Sequence, residues 1–337
     1  MSKKITAAVI GLVMGRRHLQ GLAERNIEVG AICDINEKLL CERAEEFGIA
    51  KERCFTDWRE ILKLDDVNAV IIVTPDQTHR EMSEAFLSAG KHVLCEKPLA
   101  LTREDLSAII KAAEGADTKF MVGQVCRFCP AFRKAKELID NGTIGEVYFV
   151  ESEYAHDYAK ILHEWRADPL RHGVVGGGCH AVDLLRWLVG DPEEVFAYGS
   201  HKLLPQVTYD DATISVLKFS DGVIGKVFVS TGCKRPYTMR TLIYGTKGTI
   251  ICDNKSAELT LYTLGPDGIA VNPTPEMIPV EIKDHNVGDE FDTFVDHIEN
   301  DTPVVMSALE GAKTIATCLA IVESAKCGKP VVPDYSF

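Results

Sequence analysis

Across its first 125 residues the chain repeats one pattern: a short apolar run, then a stretch whose apolar residues recur at helical spacing. The apolar runs fall at 5–10, 27–33, 69–73, 92–95 and 119–125. Runs this short, apolar on both faces, are strands of a parallel sheet covered by helices on each side. Strand and helix alternating at this spacing make a doubly wound α/β fold. Past that point the rhythm changes. Strands are expected at 147–153, 195–201, 213–219, 223–231, 241–244, 249–252 and 259–263, and helices at 130–140, 181–189, 289–299 and 308–326. Asp221-Gly222 is a hairpin signal, and 265–279 is a turn-rich excursion.

The first strand runs into Gly11-Leu12-Val13-Met14-Gly15-Arg16-Arg17-His18, followed by a helical pattern through Leu19, Leu22 and Ala23. Strand, glycine turn and helix are the setting of a dinucleotide fingerprint, although a glycine turn of this kind is also simply a tight turn. The spelling is G-x-x-x-G, with Val13 where a middle glycine would let backbone approach the pyrophosphate. The second run ends in Asp34, about twenty positions on, the distance at which a carboxylate reaches the adenosine ribose. A carboxylate there repels a 2′-phosphate, so NAD is expected over NADP. Asp34 also suits an N-cap for the helix starting near Asn36. Two more segments leave the carboxyl ends of strands, where open α/β sheets bind ligands: the loop Thr74 to His79, and Val93-Leu94-Cys95-Glu96-Lys97-Pro98. Pro98 bars helix at Lys97 and fixes an ammonium at the sheet edge. The expected NAD contacts are Gly11, Val13, Met14, Gly15, Asp34, Thr74, Pro75, His79, Glu96 and Lys97.

Bulk properties exclude several classes. A net charge of −13 argues against a nucleic-acid binder, which would present a basic footprint. No apolar run approaches the about 20 residues of a membrane span. Met1-Ser2-Lys3-Lys4 leads into a run too short for a secretory signal, so a cytoplasmic location is expected. Of the 11 cysteines, Cys33, Cys95, Cys252 and Cys318 lie in apolar runs, where cysteine behaves as a small hydrophobe. Cys126 and Cys129 form a C-x-x-C with no second such pair, and the histidines near His180 follow no standard ligand spacing. No metal is expected.

In the second half, 154–175 is irregular and dense in polar rings: His156, Tyr158, His163, Trp165 and His172, with Lys160, Arg166 and Arg171 among them. Flat rings suit stacking on a sugar, and the cations suit hydroxyls or an anionic substituent. Rings half-buried for packing would read the same way. Gly176-Gly177-Gly178 then precede an apolar helix, and glycines let backbone come close to a ligand. A lone histidine beside an apolar helix is usually a core residue; directly after three glycines, His180 is expected at the helix start, facing a crevice. Gly232-Cys233-Lys234-Arg235-Pro236-Tyr237 reaches either the active site or an adjoining subunit.

These residues stand in a telling order. Gly15-Arg16-x-His18 and Asp34 come first, then Thr74-Pro75 with His79, then Glu96-Lys97-Pro98. Arg127-Phe128-x-Pro130 and Gly142-x-Ile144-Gly145 follow, and then Gly176-Gly177-Gly178-Cys179-His180-Ala181-Val182-Asp183-Leu184-Leu185-Arg186-Trp187-Leu188-x-Gly190. Near the end come Gly311-Ala312 and Ser324-Ala325-Lys326-x-Gly328-Lys329-Pro330. The order resembles the Gfo/Idh/MocA oxidoreductases, the group of glucose–fructose oxidoreductase and inositol dehydrogenase, along nearly the whole chain.

The resemblance implies a Rossmann domain over 1–125 and a second domain over 126–337 with a large, open, mostly antiparallel sheet, its last helices either staying with that domain or packing back on the first. It implies a nicotinamide cofactor, and catalysis by Lys97 and His180 facing one another across it. Sugars or cyclic polyols are the implied substrates, and Arg127, His156, Trp165, Arg166 and Asp183 are the expected substrate contacts. Homodimers or homotetramers through the open sheet face are implied as well. The family often carries a carboxylate four residues before the histidine, where this chain has Gly176. Asp183, one helical turn after His180, or another residue would take its place.

The expected reaction is oxidation of a secondary alcohol on a sugar, glycoside or inositol-like ring. His180 takes the hydroxyl proton and Lys97 stabilises charge on the same oxygen. Two rival functions remain at this stage. One is an NAD-recycling enzyme that cleaves a glycoside through a transient keto-sugar. The other is a dinucleotide-binding sensor without catalysis, which would have no need of the Lys97 and His180 pair.

Overall fold

Residues 4–162, 164–283 and 285–337 are described by the structure, a computed structural model. The chain divides into two units. The first holds Met1–Gln124, Val287–Ala312 and Phe337, and the second holds Val125–Asn286 and Lys313–Ser336.

The first unit begins β1 (Thr6–Ile10), α1 (Leu12–Glu24), β2 (Glu28–Cys33), α2 (Glu37–Phe47), β3 (Cys54–Phe55) and β4 (Ala69–Ile72). It continues α3 (His79–Ser88), β5 (His92–Glu96), α4 (Arg103–Glu114) and β6 (Phe120–Gly123). The six strands are parallel in the order β3-β2-β1-β4-β5-β6, so the doubly wound expectation holds. β1 and β4 are buried at every position because helices cover both faces, which is why they read as unbroken apolar runs. Leu12, Leu19 and Leu22 form the buried stripe of α1, each contributing about 2 kcal/mol of apolar burial. Strand order reverses direction between β1 and β4, and the carboxyl ends on either side of that switch open a crevice. Two boundaries differ from the sequence reading. α1 begins at Leu12, directly after a single glycine, and β6 stops at Gly123.

The second unit contains α5 (Pro130–Asp140), β7 (Val147–Ala155), α6 (Gly173–Gly176), α7 (Cys179–Val189), β8 (Glu194–Ser200), β9 (Ala212–Lys218) and β10 (Ile224–Ser230). Then come β11 (Thr238–Gly245), β12 (Gly248–Asp253), β13 (Glu258–Thr263) and β14 (Glu276–Pro279). Of the two helices that close the chain, α8 (Val287–Glu299) belongs to the first unit, and α9 (Ala308–Cys327) is divided, its residues up to Ala312 in the first unit and those from Lys313 in the second. The eight strands lie in the order β14-β13-β12-β11-β7-β10-β9-β8, antiparallel except for β7 beside β10. Burial alternates along β9, with Thr213, Ser215 and Leu217 inward and Ile214 and Val216 outward. α7 lies against β7 and β10 on the covered face. Asp221 and Gly222, both at positive φ, make the hairpin turn between β9 and β10 as expected. β14 falls inside the stretch read as turns. It is an edge strand with almost no buried residue, paired only with β13, so no alternation marked it.

Candidate functional site

In the first unit the chain leaves β1 through Gly11, at φ 90°, where a Cβ would lie 2.5 Å from the Val73 carbonyl oxygen. Only glycine fits so close a pass between two strand ends. Helix follows immediately, so the first-turn amides of Val13 and Met14 have no partner within the helix. Their side chains are exposed, the first turn carries no acidic residue, and a helix N-terminus attracts phosphate. Gly15 lies one turn further in, buried against Val9, and serves helix–strand packing. The compact phosphate turn therefore needs no second glycine at position 13.

Asp34 is held from both sides. Its Oδ2 accepts from Leu12 N at 2.7 Å and its Oδ1 from Asn36 N at 2.8 Å. The cap of α2 is Asn36, whose side chain accepts from Leu39 N at 3.1 Å, so Asp34 is not the cap. Each Asp34 oxygen keeps a lone pair for a ribose hydroxyl. Glycine turn, bare helix end and oriented carboxylate fit the pyrophosphate and adenosine ribose of NAD.

The loops after β4 and β5 are tied together by His79. It is fully buried, with Nδ1 3.0 Å from Pro98 O and Nε2 3.1 Å from Thr74 O. Carbonyl oxygens only accept, so both ring nitrogens donate and the ring is an imidazolium. Burial opposes that charge, but Cys95, Asp76 and the Thr74 carbonyl outweigh it and raise the pKa to about 10. His79 therefore ties the Thr74 carbonyl to the Pro98 carbonyl, one residue past Lys97.

Glu96 turns back from the site. Its Oε1 lies 3.0 Å from His18 Nε2, and its Oε2 accepts from Lys97 N at 3.0 Å. Burial pushes the carboxyl up, yet the bond to His18 and the charges of His18 and Lys97 hold it at about 2. His18 packs edge-on to Phe291 at 5.7 Å. The Lys97 backbone is thus fixed from its own strand end, while its half-buried side chain makes no hydrogen bond or ion pair with any described residue.

In the second unit His180 sits in the first turn of α7, 2% exposed, with Nδ1 3.4 Å from Cys126 Sγ. Its ring stacks on Tyr154 at 6.2 Å and meets His285 at 5.8 Å. The Tyr154 hydroxyl lies 2.9 Å from the Tyr158 hydroxyl and 3.2 Å from His156 Nδ1. His156 lies 4.9 Å from the Tyr237 ring, whose hydroxyl is 3.3 Å from His285 Nε2. β7 pairs with β11 through Ala155 and Thr238, and that register brings His156 beside Tyr237. Burial, reinforced by Tyr158 and Tyr237, raises the Tyr154 phenol well above its usual range and keeps its proton on.

The other expected substrate contacts fall into two groups. Arg127 grips Asp183 with two bonds of 2.7 Å, Asp183 is 1% exposed, and Thr314 donates to it at 3.0 Å. Asp183 is therefore the anchor of Arg127 and no stand-in for a carboxylate at 176. Two guanidinium groups lie over the Trp165 ring, Arg166 at 4.2 Å and Arg171 at 4.9 Å, and Arg166 donates to Ile161 O. A Cβ on Gly176 would run into the buried Arg171 guanidinium, so a side chain at 176 requires Arg171 to move. His163 lies outside the described residues. Cys126, Tyr154 and His285 were missed as site residues, and Tyr237 was left open between two roles. Tyr154 and His285 belong to no contiguous motif, and Cys126 reads in the sequence only as half of a C-x-x-C.

The first unit defines the class: a Rossmann sheet built to hold a dinucleotide. Residues 5–124 match the model for the oxidoreductase family with an NAD-binding Rossmann fold, and residues 132–251 match the GFO/IDH/MocA C-terminal domain. The chain belongs to the GFO/IDH/MocA family and is an NAD-binding oxidoreductase. It is similar to the myo-inositol 2-dehydrogenase of Thermotoga maritima, 30% identical over 291 residues, 83% of this chain and 84% of that protein. It is also similar to the levoglucosan dehydrogenase of Pseudarthrobacter phenanthrenivorans, 30% identical over 65% of this chain and 63% of that protein. Among solved structures, a levoglucosan dehydrogenase in complex with NADH has a TM-score of 0.87 at 26% identity, covering 98% of this chain and 99% of that one. An oxidoreductase domain protein from Kribbella flavida has a TM-score of 0.89 at 26% identity, covering 99% and 100%.

Proposed function

We propose that this protein moves a hydride between NAD and a secondary alcohol on a sugar, glycoside or cyclic polyol. The observation that carries the substrate class is the ring cluster around His180. Tyr154, His156, Tyr237 and His285 offer flat faces for a ring and polar edges for hydroxyls. The names of the similar proteins, acting on myo-inositol and levoglucosan, support it.

Bound NAD supplies the hydride acceptor. His180 receives the alcohol proton on Nε2, which requires Nδ1 to keep its own proton and donate to Cys126 Sγ. Lys97 stabilises the negative charge growing on the substrate oxygen. His156, Trp165 and Arg166 contact the substrate, while Arg127 and Asp183 brace α7. The test is an absorbance screen at the NADH band against polyols, free sugars and glycosides with NAD and NADP. NADH formation from a polyhydroxylated ring supports the proposal. Sugar release without net NADH would replace it with the cleavage cycle, and no turnover with any member would leave only a binding protein.

We further infer self-association through the outer face of the eight-stranded sheet, where Tyr198, Ile214, Val216 and Ile224 are exposed. Sedimentation should show a dimer or larger, and Ile214→Lys with Val216→Lys should yield a monomer. A wild-type monomer would refute this.

A further inference from the structure

Gln124 is unexplained by anything so far. It directly follows β6, and the pairing of Glu96 with Gly123 sets it level with Lys97 on the neighbouring strand. Its backbone N donates to Val122 O at 2.8 Å. The residue is 2% exposed, and neither its Oε1 nor its Nε2 has a hydrogen-bond partner among the described residues. A buried amide with donor and acceptor both unmade is costly, and an apolar side chain of that shape would be cheaper.

The sheet says which ligand would satisfy it. Asp34 follows β2, the phosphate turn follows β1, Thr74 is in the loop after β4, Lys97 follows β5 and Gln124 follows β6. Neighbouring strands lie about 4.8 Å apart. A dinucleotide with its adenosine ribose at Asp34 and its pyrophosphate over α1 runs its far end toward β5 and β6. The group at that end is a primary carboxamide, with one carbonyl acceptor and one NH2 donor, the complement of a glutamine side chain.

We propose that Gln124 binds the nicotinamide carboxamide of NAD, amide to amide, and so fixes the rotation of the ring in the crevice. This rests on NAD binding in the first unit and is independent of the hydride-transfer chemistry. It is tested by binding and melting, without turnover. Gln124→Met removes two unpaired polar atoms at nearly constant shape. The variant should melt no lower than wild type in the absence of cofactor, should bind NADH at least about tenfold more weakly, and should bind ADP-ribose as wild type does. The 3-acetylpyridine analogue, which lacks the NH2, should separate from NADH in the wild type but not in the variant.

Three results would overturn the proposal. Unchanged NADH affinity would assign the amide elsewhere, for example to a substrate hydroxyl. An equal loss for NADH and ADP-ribose would mean a general distortion of the crevice. A clearly lower melting temperature of the cofactor-free variant would mean a structural partner for Gln124. A Lys97→Ala protein that has lost turnover should still show the Gln124-dependent difference between NADH and ADP-ribose.

Discussion

The end of β5 and the start of α7 carry the two residues proposed for the chemistry, and they are prepared in opposite ways. At Lys97 the backbone is fixed, by Glu96 against His18 on one side and His79 against two loops on the other, while the ammonium is left without a partner among described residues. At His180 the side chain itself is fixed, by the Cys126 thiol and the Tyr154 ring. A point charge with rotatable donors needs only its origin set, whereas an imidazole needs its tautomer and plane set.

That contrast breaks first on the largest effects. Lys97→Ala and His180→Ala should each lower turnover on the order of 10³-fold while NADH still binds, as titration of protein fluorescence would show. An alanine variant with near wild-type turnover would strip that residue of its role.

Next comes the brace behind His180. Asp183→Ala leaves Arg127, 10% exposed, without its carboxylate and should cost about 3–5 kcal/mol in urea unfolding, with KM of the surviving enzyme little changed. A stable variant with a raised KM would return Asp183 to the substrate.

The brace beside Lys97 has a pH signature. Glu96 falls from 4.5 to about 2 on folding, so its stabilisation is complete above pH 4.5 and disappears as pH drops toward 2. The difference is on the order of 3 kcal/mol at neutral pH. Acid unfolding of Glu96→Gln should lack that component, and identical acid curves would deny the His18 bond its weight.

The smallest effect concerns the thiol. Cys126→Ala should slow turnover about tenfold and shift the pH profile of kcat/KM, and Cys126→Ser should restore most of both. An unshifted profile in the alanine variant would show that the tautomer is set by something else.

How much of this was legible follows the same divide. Gly11, Asp34 and Glu96-Lys97-Pro98 stand where the chain leaves a strand, and an apolar run followed by its exit residues is written locally, so a motif records them. The cluster around His180 draws Tyr154 from β7, Tyr237 from the edge of β11, Cys126 from the turn after β6 and His285 from just before α8. Sheet register and packing assemble it, and neither is written in any local pattern. Asp183 misled for a related reason. Helical spacing placed it one turn from His180, but only the fold shows that Arg127 occupies it. β14 escaped because an exposed edge strand has no buried face to alternate.

The proposed function stands or falls on whether Lys97 and His180 serve one transition state. Its most direct test is the rate of NADH formation in a burst experiment with the best substrate from the screen, measured for both single alanine variants and the double variant. Residues that work as a unit are non-additive, so the double variant should be scarcely slower than the slower single one. A double variant slowed by the full product of the two single losses would show that they act separately and would contradict the account.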